Sequence, residues 1–128
     1  PAMSDAERVK RGEDLLEQYF GRRPDVRKSP LGEDFYAVTV GNVFGDVWSR
    51  PGLELRERSM ITLAALIALG RSEEFKIHLR GALNTGVSRE QIREMIIHLA
   101  HYGGWPVAVG SMRAADEVFA EVDAKKDK

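Results

Sequence analysis

Three histidines, His78, His98 and His101, are the side chains of this sequence best suited to moving a proton near neutral pH, because an unperturbed imidazole titrates there. Glu74 stands four residues before His78 and Glu94 four before His98, a spacing that sets carboxylate and ring on one helix face. Such a neighbour stabilises the imidazolium and makes the ring a poised general acid; an ordinary surface pair has the same spacing. Arg50, Arg58 and Arg80 are each able to fork onto a carboxylate. For Arg58, at the start of an apolar helix, the alternative is a salt bridge to Glu54 or Glu57. Trp48, Tyr102 and Trp105 either wall a cavity or fill the core at helix ends. Gly103-Gly104 either turns the backbone or admits a ligand to it. His98, His101 and Glu94 share a face, but the Glu-x-x-His pairs of helical two-metal sites are not met, so no metal is expected.

These groups need a scaffold. At 128 residues the chain is expected to form a single domain over 1–128, with 1–3 and 124–128 disordered. Nineteen basic and 20 acidic side chains leave a net charge of −1, too little cationic field for nucleic acid or an anionic membrane. Cysteine is absent, which removes disulfides, thiolate metal sites and thiol chemistry. The longest apolar run, Ile61 to Leu69, is too short to span a bilayer, and the N-terminus is charged, so a cytoplasmic location is expected.

The elements read as helices throughout, giving an all-α fold of about six. Ser4 and Glu7 form a capping box for a first helix that Gly21 stops. Arg22 to Gly32 reads as a linker. Phe35 to Trp48 has near-helical apolar spacing, weakened by Gly41 and Gly45. Leu55 to Leu69 reads as the most buried helix, ended by Gly70. Ser72 is placed to cap the next, through Leu83, with Phe75, His78, Leu79 and Ala82 on one face. Ser88 and Gln91 form a second capping box before the stripe Ile92, Met95, Ile96, Leu99. The last helix begins near Pro106 and runs toward Val122. Apolar residues on more than one face of two helices point to burial against other subunits.

Phe44-Gly45-Asp46-Val47-Trp48-Ser49-Arg50-Pro51-Gly52-Leu53, Arg58 to Ala64, His78 to Val87, Ile92-Arg93-Glu94 and His98 to Pro106 closely resemble the carboxymuconolactone decarboxylase family, over roughly Val40 to Glu121. The resemblance implies the all-α fold shared with alkylhydroperoxidase D, a homohexamer or homotrimer, and a small carboxylate as substrate. It implies cofactor-free decarboxylation of 4-carboxymuconolactone, or a related small unsaturated or keto acid, to 3-oxoadipate enol-lactone in aromatic catabolism. The peroxidase branch is excluded chemically, since Arg71 and Glu74 stand where its two thiols would be. Decarboxylases of this family usually continue from an Arg-Gly like Arg11-Gly12 through a pair of arginines to a Leu-Gly and then a His-Val; those three places hold Leu16-Glu17, Phe20-Gly21 and Pro24-Asp25 here.

The reaction implied would use Arg58 or Arg50 for a carboxylate arm and His78 to donate toward the developing enolate oxygen or the carbon. Tyr102 with His98 would support it, and Trp48 and Trp105 would form the apolar wall. No cofactor is expected. An isomerase or hydrolase using the same imidazole pocket, and a non-catalytic ligand-binding helical oligomer, are the alternative expectations.

Overall fold

A computed structural model describes residues 4–28, 30 and 32–127, and the regular structure among them is all helical. Residues 1–3 and 128, for which disorder is expected, lie outside the described residues. The helices are α1 (Asp5–Phe20), α2 (Gly32–Thr39), a π-helix (Val40–Trp48), α3 (Leu55–Leu69), α4 (Ser72–Asn84), α5 (Arg89–Gly103) and α6 (Trp105–Lys126); a short 3₁₀ turn spans Val26–Lys28. They divide into two compact units, one running up to Leu55 and the other beginning at Arg56.

In the N-terminal unit, α1 starts as its residues dictate. The Ser4 hydroxyl accepts from the Glu7 amide at 3.2 Å while the Glu7 carboxylate accepts from the Ser4 amide at 2.9 Å. Gly21 ends the helix at φ 78°, where other residues are strained. The stretch expected to be one weak helix over Phe35 to Trp48 is two, and the second is wound as a π-helix. Gly41 and Gly45, which propensity marks as weak points, are buried. A Cβ at Gly45 would come closer than 3.0 Å to the Arg8 carbonyl, and one at Gly12 equally close to that of Val40. Missing side chains therefore let α1 and the π-helix meet backbone to backbone. The Arg8 Nε donates to both Asp46 oxygens at 3.1 Å, and the Arg11 Nε to the Gly45 carbonyl at 2.8 Å. Leu16, Tyr36 and Val40 form the small apolar centre.

The C-terminal unit has a larger apolar core, to which Leu63, Ile67, Phe75, Leu79, Ile92, Ile96, Val118 and Phe119 belong. Burying one such side chain contributes about 2 kcal/mol. α3 is not the most buried helix: only Ser59, Leu63 and Ile67 are buried, while Ile61 is 56% and Leu69 71% exposed. Its apolar residues surround the whole circumference, but one stripe alone meets the core. α6, the longest helix, buries Ala108, Ser111, Ala114, Ala115, Val118 and Phe119. Small residues on that face allow close approach. Arg80 forks onto Glu121, with both bonds at 2.9 Å, and Arg89 and Arg93 lie over the Phe119 ring at 4.8 and 5.5 Å.

Ser72 does not cap α4. It is the first residue of the helix, and Arg71 precedes it with no side-chain cap. The Ser88–Gln91 capping box forms at the head of α5. α6 continues through Ala124, Lys125 and Lys126, where disorder is expected from the charge pattern. A good helix former and two cations at the carbonyl end favour that extension.

Candidate active site

His78 rides on α4 beside fully buried Phe75, Leu79 and Ala82, as the apolar spacing of that helix dictates. Its ring is half-buried and its Nδ1 atom is shut off from solvent. Burial pushes the imidazole below its ordinary value of 6.5. This reverses the expectation of a poised acid drawn from the Glu74 spacing: desolvation dominates, and the ring is neutral at pH 7. Arg58, in the first turns of α3, is half-buried with its Nε likewise shut off from solvent, next to fully buried Ser59. The C-terminal unit thus carries an imidazole and a guanidinium that are both partly desolvated.

The remaining site candidates lie on other elements. His98 and Tyr102, one turn apart on α5, stack with ring centres 5.1 Å apart and planes at 29°. Tyr102 is 78% exposed. Trp105, 66% exposed, stands edge-on to His101 at 6.4 Å, not with the His98 pair. The His101 Nδ1 lies 3.0 Å from the Ile97 carbonyl of its own helix. Gly104 turns the chain between α5 and α6 at φ 104°, and a Cβ on Gly103 would press on the Ala68 backbone at 3.0 Å. Both glycines are explained by backbone geometry. In the N-terminal unit, Trp48 is buried against Tyr19 and Phe44, with ring centres 5.1 and 5.4 Å away, and Arg50 is exposed.

A groove of about 440 Å³ runs between α3 and α5, lined by Met60, Ala64, Glu90, Gln91, Glu94, Met95, His98 and Leu99. Of the histidines, only His98 lines it. Met60 and Ala64 stand four apart on α3, as do Gln91 and Met95, and Met95 and Leu99, on α5. This periodicity is visible in the sequence but does not say that the two faces leave a gap. Arg56 adjoins the groove: its Nη2 donates to the Gln91 Oε1 at 2.6 Å. Sequence reasoning passed over Arg56 because nothing local separates it from its charged neighbours. Among the described residues no cluster of three or more metal-ligating side chains occurs, and no helix is long and apolar enough to cross a membrane.

Residues 33–117 match the profile of the carboxymuconolactone decarboxylase family. Across 98% of its length the chain is 35% identical to 4-carboxymuconolactone decarboxylase of Acinetobacter baylyi, covering 97% of that protein. It is 32% identical to the nitrosuccinic acid decarboxylase of Metarhizium robertsii, over 78% of this chain and 80% of that one. An uncharacterized 15.0 kDa protein of Paracoccus denitrificans is 30% identical over 62% of this chain and 61% of its own. With an all-helical fold, a family profile spanning most of the chain and a relative matched almost end to end, the chain belongs to the carboxymuconolactone decarboxylase family.

Proposed function

We propose that this protein is a carboxy-lyase that removes carbon dioxide from 4-carboxymuconolactone, giving 3-oxoadipate enol-lactone, or from a related small acid. Two relatives are named as decarboxylases, and their substrates share a pattern. Nitrosuccinic acid and 4-carboxymuconolactone each carry, on one carbon, the carboxylate to be lost, a carboxymethyl arm and an electron-accepting group. The substrate class proposed is a dicarboxylate of that kind.

The chemistry follows from the pattern. The bond to the departing carboxylate breaks and carbon dioxide leaves, the electron pair passes into the nitro group or unsaturated lactone, and a carbon of the conjugated system then takes a proton that comes ultimately from water. Because the substrate is its own electron sink, the reading needs no cofactor. The protein must hold the spectator arm, offer a donor to the oxygen that becomes negative, and exclude water. We assign Arg58 to the arm and His78 to the developing charge, with the stacked His98–Tyr102 pair in support. Arg50 is kept as the alternative anchor, and Trp48 and Trp105 as apolar wall. The observation that carries this reading is the desolvated His78. A neutral imidazole keeps one N–H with which to donate a hydrogen bond to the developing negative oxygen, and a donor in a dry setting is worth far more than one in water. The exposed apolar residues Ile61, Leu69 and Ile77 support association of the protein with itself, as a homohexamer or homotrimer.

The test is carbon dioxide release from authentic 4-carboxymuconolactone, and separately from nitrosuccinate, by chelator-treated protein. His78→Ala is expected to lower turnover about a hundredfold or more while the helical fold is kept. A folded variant that turns over like wild type rejects the assigned role, and conversion of either acid without carbon dioxide rejects the reaction class.

A further inference from the structure

The α3–α5 groove is built for a ligand of a particular charge. Its floor is apolar: Met60, Ala64, Met95 and Leu99. Arg56 precedes Met60 by four residues and Ala64 by eight, so the three share one face of α3. The Arg56 guanidinium is half-buried and held by a neutral amide, the Gln91 side chain, whose Oε1 also accepts from the Ser88 amide at 2.9 Å. No carboxylate lies within ion-pair distance of Arg56 among the described residues. Arg8, Arg23, Arg80 and Arg89, by contrast, each meet a carboxylate. A guanidinium fixed by an amide keeps its positive charge for an anion, and its planar fork suits a carboxylate.

The other charged groups limit what the anion can be. Glu90 and Glu94 line the same groove and are exposed, and His98 stands two turns beyond Gln91. Helical rise puts roughly 10 Å between the levels of Gln91 and His98, the length of a five- or six-membered ring bearing a short acid arm. A ligand with one carboxylate can place it on Arg56 and lay its ring over the methionines. A second carboxylate would face Glu90 or Glu94 and be repelled.

We infer that this groove is a binding site for a small, flat, apolar monocarboxylate and discriminates against the dicarboxylate that differs from it by one carbon dioxide. If the reaction is the one proposed above, on which this physiological meaning rests, the substrate is a dianion and the product a monoanion. The groove then takes up product in preference to substrate.

The test needs no turnover, so it is separable from the fate of the proposed reaction. The probes are 3-phenylpropanoate and benzylmalonate, which have the same ring and differ only by one carboxylate. Binding is followed at pH 8 in full-length protein carrying ¹³C-methyl methionine. The Met60 and Met95 signals are expected to shift with 3-phenylpropanoate while Met112, which does not line the groove, stays put. Benzylmalonate should bind several-fold more weakly, because exposed like charges each contribute modestly. Arg56→Gln should weaken 3-phenylpropanoate about tenfold or more, and Glu94→Gln should narrow the gap between the probes. Unmoved Met60 and Met95 signals, or benzylmalonate bound as tightly as 3-phenylpropanoate by wild type, would overturn the inference. Both results come from wild-type protein, so they do not depend on how any variant folds.

Discussion

The two units of this chain solve the same problem, packing helices, by opposite means. In the N-terminal unit, α1 and the π-helix touch through absent side chains: Gly12 and Gly45 each sit against a carbonyl of the facing helix. Polar ties close the joint, with Arg8 forked onto Asp46 and Arg11 on the Gly45 carbonyl. In the C-terminal unit, present side chains do the work, and Phe75, Leu63, Leu79 and Ala115 are all fully buried. The first arrangement tolerates no added atom, whereas the second tolerates no removed one. The difference teaches that glycine and phenylalanine can be equally irreplaceable, for reasons of opposite sign.

The largest expected effect tests the side-chain-packed side of that contrast. Phe75→Ala should cost about 3 to 5 kcal/mol in denaturant unfolding, since a fully buried ring leaves a cavity. Gly12→Ala should approach it, at about 3 kcal/mol, because the obstacle is backbone that cannot move aside. Gly52→Ala is the control: a Cβ there meets nothing within 4 Å, so the change should stay within about 0.5 kcal/mol. Equal costs for Gly12→Ala and Gly52→Ala would break the comparison.

A smaller effect separates the units by pH. His78 titrates near 6.5 when unfolded and lower when folded, so the unfolded chain binds more protons between those values. Stability in the C-terminal unit is therefore expected to fall as pH drops through 6.5, levelling off below the folded value, and His78→Gln should flatten that slope. In the N-terminal unit the hydrogen bond from Arg8 holds the Asp46 carboxyl below its ordinary 3.8. Its contribution is present above that value and lost only as the pH falls through the lower folded one. Unfolding midpoints compared at pH 8 and pH 5.5 check the first window; an undiminished slope in His78→Gln would assign it to another group.

The smallest effect sharpens the comparison by finding where the units agree. Ser4 and Ser88 head α1 and α5 with the same reciprocal capping box. Ser4→Ala and Ser88→Ala should each cost about 1 kcal/mol by chemical denaturation. A cost confined to one of them would show that end effects, like packing, differ between the units.

Most local rules were legible where a residue acts on its own neighbours along the chain, the cap expected of Ser72 being an exception. Both capping boxes, the stop at Gly21 and the apolar faces of α4 and α5 are where spacing puts them. The His78 helix and the His98–Tyr102 turn could be named from the same spacing. What could not be read was the sign of the His78 shift: sequence places Glu74 one turn away, but burial, which depends on what packs over the ring, is the larger force. Arg56 was passed over for a related reason, since its partner Gln91 is 35 residues away.

Sequence by itself determined that this chain is helical, where most helices begin and end, and which family it belongs to, because hydrophobic period, caps and motifs are short-range or one-dimensional signals. Tertiary structure decided which stripe of the all-apolar α3 is buried, that Gly12 and Gly45 are contact points, and that α3 and α5 stand apart far enough to leave a groove. Those outcomes depend on which surfaces compete for the same neighbours, a property of three-dimensional packing that no local pattern encodes.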